Sequence, residues 1–338
     1  MTDFKPADAG QLNAMSLKIF IDFATPPDIL QLLQAGTRGH QLLFPATPIA
    51  SVLARPEPDS QFATADIAFG QPDPQAIAES SNLKWIHVSS SGITRYDNPH
   101  FRALMVERKI ALTNSASVYN DACAVHALSF MLAQARKLPV ALKTRTANGS
   151  PEWNALRGSS NTLAGQTVLI LGFGAIGRRL VELLQPFKMN ILAYRRRARG
   201  DEPVPVVTAD RLGQVLAKEA DHIVNILPDN AESRGFFNAA RFASLKPGAV
   251  FYNIGRGTTV DQEALREALC AGRLAAAWLD VTDPEPLPEN HPLLTASNCY
   301  ITPHLAGGHF EEAKTLVRHF LKNFERFVKR EALVDRVM

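Results

Sequence analysis

The segment VLILGFGAIGRRL, residues 168–180, constrains the fold of this chain more than any other. An apolar run reaches Gly172-x-Gly174-x-x-Gly177 and passes directly into a helical pattern. Strand, tight turn and helix in that order build one unit of a parallel sheet, because the helix must carry the chain back before the next strand can pair in parallel. The glycine spacing has a mechanical basis. Gly172 permits the turn, Gly174 leaves the backbone open to an anion, and Gly177 lets helix and strand pack closely. The helix start at Ala175 and Ile176 then presents N–H groups and a partial positive charge to a pyrophosphate.

The same alternation runs along most of the chain. Ahead of the glycine motif, strands are expected at KIFIDF (18–23), ADIAFG (65–70), KWIHVS (84–89) and IALTNS (110–115). Helical patterns such as 28–36 and 101–109 lie between them, followed by a long apolar helix over about 120–138. TANGSPEWNALRGSSNT (146–162) reads as an irregular polar connection. A second series of strands follows at 167–171, 190–194, 222–227, 249–253, 275–280 and 299–302. A last amphipathic helix is expected over 309–330. Its apolar stripe is Phe310, Ala313, Leu316, Val317, Phe320, Leu321, Phe324, Phe327 and Val328, which reads most simply as a core face. Short strands alternating with helices make the fold class α/β with parallel sheets, and 338 residues suffice for two domains.

Composition narrows the classes. With 46% hydrophobic and 20% charged residues, the chain reads as a soluble globular protein. It contains no apolar run long enough for a membrane span, and its first fifteen residues carry acids and lack the apolar core of a secretory signal. A cytoplasmic location is expected. Cys123, Cys270 and Cys299 show no metal or disulfide spacing. The net charge of +3 is too small an excess to point to nucleic acid.

One basic cluster stands out. The second strand of the later series, NILAY, runs into Arg195, Arg196, Arg197 and Arg199. A dinucleotide fold places an acid at the end of this strand when it binds the ribose hydroxyls of NAD. Here the first residue is an arginine, whose planar fork matches phosphate oxygens. Arg195 and Arg196 are therefore expected to clamp the 2′-phosphate of NADP.

Three later strand ends carry the remaining chemistry: Arg256 in NIGRG, Asp280 and Glu285 in LDVTDPE, and His304 in TPH. Ligands of open α/β sheets bind beyond the carboxyl ends of the strands, so these loops should converge. An arginine, a carboxylate and a histidine at one crevice suit reduction of a 2-oxo acid. The arginine holds the substrate carboxylate, the histidine donates a proton, and the acid keeps the imidazole oriented and charged.

In these motifs, together with LPDNAESRGFFNAARFASLKPGAVFYNIGRG and LDVTDPEPLPENHPLL, the sequence resembles the D-isomer-specific 2-hydroxyacid dehydrogenases, closest to the glyoxylate/hydroxypyruvate reductase branch. The resemblance implies that Arg256 binds substrate, that Glu285 pairs with His304 as the acid/base, and that Asp280 lies near the nicotinamide amide. It adds Pro228 and Ile254 to the cofactor residues, and Ser91 and Gly92 as a loop holding the substrate carboxylate. It implies two doubly wound parallel-sheet domains, a Rossmann cofactor domain (118–305) inserted into a flavodoxin-like substrate domain (1–117 and 306–338), and a homodimer. Two departures stand out: Thr94 replaces the usual Asp after SSSGI, and Ala124-Val125-His126 replaces Ala-Glu-His. The expected activity is NADP(H)-preferring reduction of small 2-oxo acids, with NAD as the second cofactor. A phosphoglycerate- or lactate-type dehydrogenase, or a non-catalytic dinucleotide-sensing co-repressor, remain as alternatives.

Overall fold

The computed structural model describes residues 16–49 and 56–338; the N-terminal stretch read above for a targeting signal lies outside the described residues. In chain order the elements are β1 (Lys18–Ile21), α1 (Pro27–Gly36), β2 (Gln41–Leu43), β3 (Ile67–Gly70), α2 (Pro74–Glu79), β4 (Trp85–Val88), α3 (Pro99–Glu107), β5 (Ala111–Thr113), α4 (Ala116–Ala135) and α5 (Leu138–Ala141). They continue with α6 (Pro151–Ser159), β6 (Thr167–Leu171), α7 (Ala175–Leu184), β7 (Asn190–Tyr194), β8 (Val206–Val207), α8 (Ala209–Gln214), β9 (His222–Asn225), α9 (Ala239–Ser244), β10 (Ala249–Asn253), α10 (Gln262–Cys270), β11 (Leu274–Leu279), β12 (Cys299–Ile301) and α11 (Glu312–Lys329). The chain divides into two compact units, Met1–Val118 with His309–Met338, and Tyr119–Gly308.

The first unit is built on a five-stranded parallel sheet of order β2-β1-β3-β4-β5. Alternation along each strand sends side chains to opposite faces. Phe20, Ala68, Ile86, Val88 and Leu112 pack with Phe62, Tyr96 and Phe101 on one face. Phe69 and Trp85 point the other way and stack on Phe320 of α11, with ring centroids 4.3 and 5.3 Å apart. Leu316, Val317, Phe320 and Phe324 make the buried stripe of α11 at helical spacing. Phe310 does not belong to that stripe. It precedes the helix and is 93% exposed, because the chain only turns helical at Glu312.

The second unit carries a seven-stranded parallel sheet of order β12-β11-β10-β9-β6-β7-β8. The order reverses beside β6, which is the switch point of a Rossmann sheet and the position at which such sheets take their ligands. Two apolar layers sandwich the sheet. Leu169, Ile223, Phe251 and Leu279 face one, and Val168, Ile170, Val224 and Tyr252 face the other. The connection at 146–162 is not irregular throughout. Pro151–Ser159 is helical, started by Ser150, whose hydroxyl accepts from the Trp153 N–H, with proline at the first turn. None of its side chains is buried, so no apolar period marked it in the sequence.

Asp22, just past β1, is 2% exposed. Its Oδ2 accepts from the Gln71 N–H at 2.7 Å, while Oδ1 is buried without a hydrogen-bond partner. Burial pushes this acid up to about 7, against the pull of the Gln71 N–H and the Arg95 charge. A folded-state value above the unfolded one means that stability is fully present below about pH 4 and is lost as pH rises through 7. Asp22→Asn should therefore raise the melting temperature at pH 8 by several degrees more than at pH 5. Equal changes at the two pH values, measured by calorimetry, would contradict the buried-acid account.

Candidate active site

The expected chemical residues of the second unit sit at carboxyl ends of neighbouring strands. His304 follows β12, Asp280 and Glu285 follow β11, and Arg256 follows β10. Gly172 and Arg195 follow β6 and β7, on the other side of β9. From β12 to β7 there are five strand spacings of about 4.8 Å, so the two ends of this row lie roughly 24 Å apart. A ligand touching both must be extended.

Backbone approach fixes the arginine loop. A Cβ on Gly257 would meet the Thr282 carbonyl carbon at 2.0 Å, so only glycine lets the loops after β10 and β11 lie this close. The Arg256 carbonyl accepts from Asn253 Nδ2 at 3.2 Å and Thr259 Oγ1 at 2.7 Å, and its guanidinium donates to the Gly255 carbonyl at 2.6 Å.

The imidazole is held from one edge. His304 Nδ1 lies 2.8 Å from Glu285 Oε2, and the Thr282 N–H donates to Glu285 Oε1 at 3.0 Å. A carboxylate only accepts, so Nδ1 carries the proton and Nε2 is the atom left for a substrate. The Glu285 hydrogen bond holds the imidazolium above the ordinary histidine value of 6.5, outweighing burial and the Arg256 charge. Burial pushes Glu285 upward, but the His304 hydrogen bond, the Thr282 N–H and the nearby cations carry it below 4.5. The His304 contribution to stability is present below pH 6.5 and lost as pH rises through the raised value. The Glu285 contribution is present above 4.5 and lost as pH falls. The pair is thus fully formed between about pH 4.5 and 6.5 and keeps its proton above that window.

Asp280 is 2% exposed, and its carboxylate is turned toward the loop that carries His304. Oδ1 accepts from Thr302 Oγ1 at 2.6 Å and the Leu305 N–H at 2.9 Å; Oδ2 accepts from the Ala306 N–H at 2.9 Å. The His304 N–H donates to the Asp280 carbonyl at 2.8 Å. These bonds hold His304 with φ of 50°, a left-handed conformation that costs a non-glycine residue about 1 kcal/mol or more. Sequence reasoning missed His126. Burial lowers it below 6.5, and its Nε2 lies 3.3 Å from Thr302 Oγ1. The one hydroxyl proton of Thr302 goes to Asp280, so the neutral His126 donates and a chain runs His126 to Thr302 to Asp280. His126 thus carries a polar network beside Asp280 although its neighbour Val125 contributes no polar group.

The turn after β6 fits a pyrophosphate. Gly172 has φ of 93°, and the space where a Cβ on Gly174 would sit is open to 4 Å. Gly174 leads into α7, with Ala175 and Ile176 in its first turn and Gly177 buried against the Gly172 carbonyl, 2.9 Å from where a Cβ would stand. Pro228 follows β9, its carbonyl accepting from Ser233 Oγ, and Ile254 is buried after β10. Beyond β7 the four arginines are not equally available. Arg195 donates to Glu202 Oε1 at 2.7 Å, and Arg196 pairs with Glu232. Arg197 and Arg199 are exposed. Glu202 was not foreseen, although its place directly after the basic run was a usable signal. In the first unit, Ser91 and Gly92 follow β4; their carbonyls accept from Asn114 Nδ2 and Ser90 Oγ, both at 2.7 Å. Thr94 begins a short 3-10 turn, Thr94–Tyr96.

Comparison with known proteins decides the family. Residues 128–306 match the D-isomer specific 2-hydroxyacid dehydrogenase, NAD binding domain. The chain belongs to this dehydrogenase family. It is accordingly an oxidoreductase that depends on a nicotinamide dinucleotide. The dehydrogenase is 35% identical to human glyoxylate reductase/hydroxypyruvate reductase over 240 residues, 71% of this chain and 72% of that one. It is 31% identical to glyoxylate/hydroxypyruvate reductase B of Shigella flexneri, over 88% and 90% of the two chains. Among solved structures, a D-isomer specific 2-hydroxyacid dehydrogenase family protein from Aeromonas salmonicida superposes with a TM-score of 0.74 at 26% identity, covering 96% of this chain and 99% of that one. No helix among the described residues of the dehydrogenase is long and apolar enough to cross a membrane.

An amide at position 280 turns a donor toward groups that are themselves donors. Asp280→Asn should cost about 1–3 kcal/mol and speed hydrogen exchange at Leu305 and Ala306 selectively. Unchanged protection of those two amides would show that the carboxylate does not organise the loop.

Proposed function

We propose that the enzyme reduces small 2-oxo acids to 2-hydroxy acids, with glyoxylate and hydroxypyruvate first, and uses NADPH in preference to NADH. The hydrogen bond from His304 Nδ1 to Glu285 carries the reading, because it leaves a protonated Nε2 aimed away from its own carboxylate partner. The substrate class is supported by the similarity to the human and Shigella reductases. The cofactor preference is supported by Arg195 at the strand end where an NAD enzyme needs an acid. The second unit would take the dinucleotide along Gly172, Gly174, Ala175, Ile176, Gly177, Pro228 and Ile254. Ser91 and Gly92 are proposed to hold a substrate carboxylate, as the resemblance read in the sequence implies. The same reading places the enzyme in the cytoplasm as a homodimer.

When bound, the nicotinamide supplies a hydride to the carbonyl carbon. Arg256 holds the substrate carboxylate and draws electron density toward the carbonyl oxygen. As charge develops on that oxygen, His304 passes its Nε2 proton there, and the alcohol forms. The imidazole is left neutral and takes its next proton from water. Glu285 keeps the ring in the productive tautomer and stabilises its charged form, so proton delivery persists above the ordinary histidine range. Asp280, through Thr302 and the backbone of 304–306, fixes where the ring stands.

A panel of 2-oxo acids assayed by NADPH oxidation should give the highest kcat/KM with glyoxylate or hydroxypyruvate. His304→Ala should lose about 10²-fold or more in kcat while still binding the dinucleotide. Full turnover in that variant, or no turnover of wild type on any 2-oxo acid, overturns the reading. Replacing Arg195 with Asp and Arg196 with Ser should move the kcat/KM ratio toward NADH, and an unmoved ratio defeats the clamp.

A further inference from the structure

The loop from Arg195 to Glu202 forms a seat for one anion, and a residue of the chain already sits in it. The Glu202 side chain is 2% exposed. Its Oε1 accepts from Arg195 Nη1 at 2.7 Å and from the Arg199 N–H at 2.8 Å; its Oε2 accepts from the Gly200 N–H at 2.9 Å. Two consecutive backbone N–H groups and a guanidinium on a single carboxylate are the donor set that would otherwise receive a phosphate. The Arg199 N–H foremost, with Arg195 and the Gly200 N–H, draws this acid down to about 2, so it is ionised at every working pH. The neighbouring Asp201 is shared: Arg178 Nη2 of α7 lies 2.7 Å from Asp201 Oδ2, and Asp201 Oδ1 stands 4.0 Å from Arg195 Nη1, farther than Glu202 Oε1 at 2.7 Å. Of the two arginines expected to select the cofactor, Arg195 is therefore 15% exposed and neutralised internally, while Arg196 is 68% exposed.

We propose that Glu202 sets the cofactor selectivity of this site by occupying, in place of the 2′-phosphate of NADP, the anion seat made by Arg195 and the Arg199 and Gly200 N–H groups. The inference rests on the dinucleotide reading given above and deepens it. NADPH brings a second anion to a seat that holds one, and must displace the carboxylate or sit against its charge. NADH carries only hydroxyls at that position and meets no such competition. A tethered acid competes at high effective concentration, so the arginine run yields a tempered preference and not an absolute one. Neutralising Glu202 removes the nearer carboxylate charge beside Arg195 and loosens the hold on both N–H groups together.

Glu202→Gln preserves the shape of the side chain and removes its charge. Dissociation constants for NADPH and NADH, from nicotinamide fluorescence titrations of the full-length wild type and variant at low and high salt, test the proposal. NADPH should tighten on the order of tenfold at low salt and less at high salt, with NADH unchanged. Adding Arg195→Gln to Glu202→Gln should cancel the gain. An unchanged NADPH-to-NADH ratio in Glu202→Gln, or equal weakening of both cofactors, makes Glu202 a structural prop of the loop and overturns the proposal. The dinucleotide reading would survive that result. If the wild type binds neither cofactor, the reading falls and takes this inference with it.

Discussion

The buried carboxylate of Asp280 is the contact on which the site depends. It stands at the carboxyl end of β11 and gathers one side-chain and two backbone donors from the loop after β12. Each donor would be costly to bury unpaired, so the loop has one low-energy arrangement. That arrangement turns His304 into a left-handed conformation and sets its ring against Glu285, which leaves the same strand five residues further on. The neutral His126, reaching from α4 through Thr302, adds a third element to the same knot. The geometry of the acid/base pair is thus decided by a group that need not touch a substrate.

Electrostatics divide this sheet into two ends with different tasks. Around β10 to β12, opposite charges are paired so that one proton is retained on an imidazole near neutral pH. Around β7, cations exceed anions locally, yet the chain supplies Glu202 and Glu232 as internal partners. Between them lies the glycine turn, where Gly172 and Gly174 keep side chains away from the helix start. A parallel sheet permits this division because the carboxyl ends of all its strands lie along one edge.

Much of this was legible in the sequence, for identifiable reasons. Strands β6, β7 and β10 are continuous apolar runs, as buried parallel strands must be, and their boundaries follow from the residues alone. Arg256 and His304 were visible because each lies three residues past a buried strand, between or beside glycines or after Thr-Pro, whereas Glu285, six residues past β11 in a proline-rich loop, was singled out by the family resemblance. What escaped notice depends on contacts between distant residues. β2 and β8 are short edge strands of three and two residues, too brief to show a period. α6 buries no side chain, so only its Ser-Pro start could have marked it. His126 and Thr302 are 176 residues apart, and nothing in either segment announces the other. The Arg195–Glu202 pair was within local reach. Its signal is weak because an acid a few residues after a basic run is as easily solvated as folded back onto the loop.

The central claim is that Glu285 holds a proton on His304 above the ordinary histidine range. The most direct measurement is the NMR titration of the His304 ring in the wild type and in Glu285→Gln. A wild-type midpoint above 6.5 that falls below it in the variant, where burial then dominates, is the expected result. The same midpoint in both proteins would contradict the account.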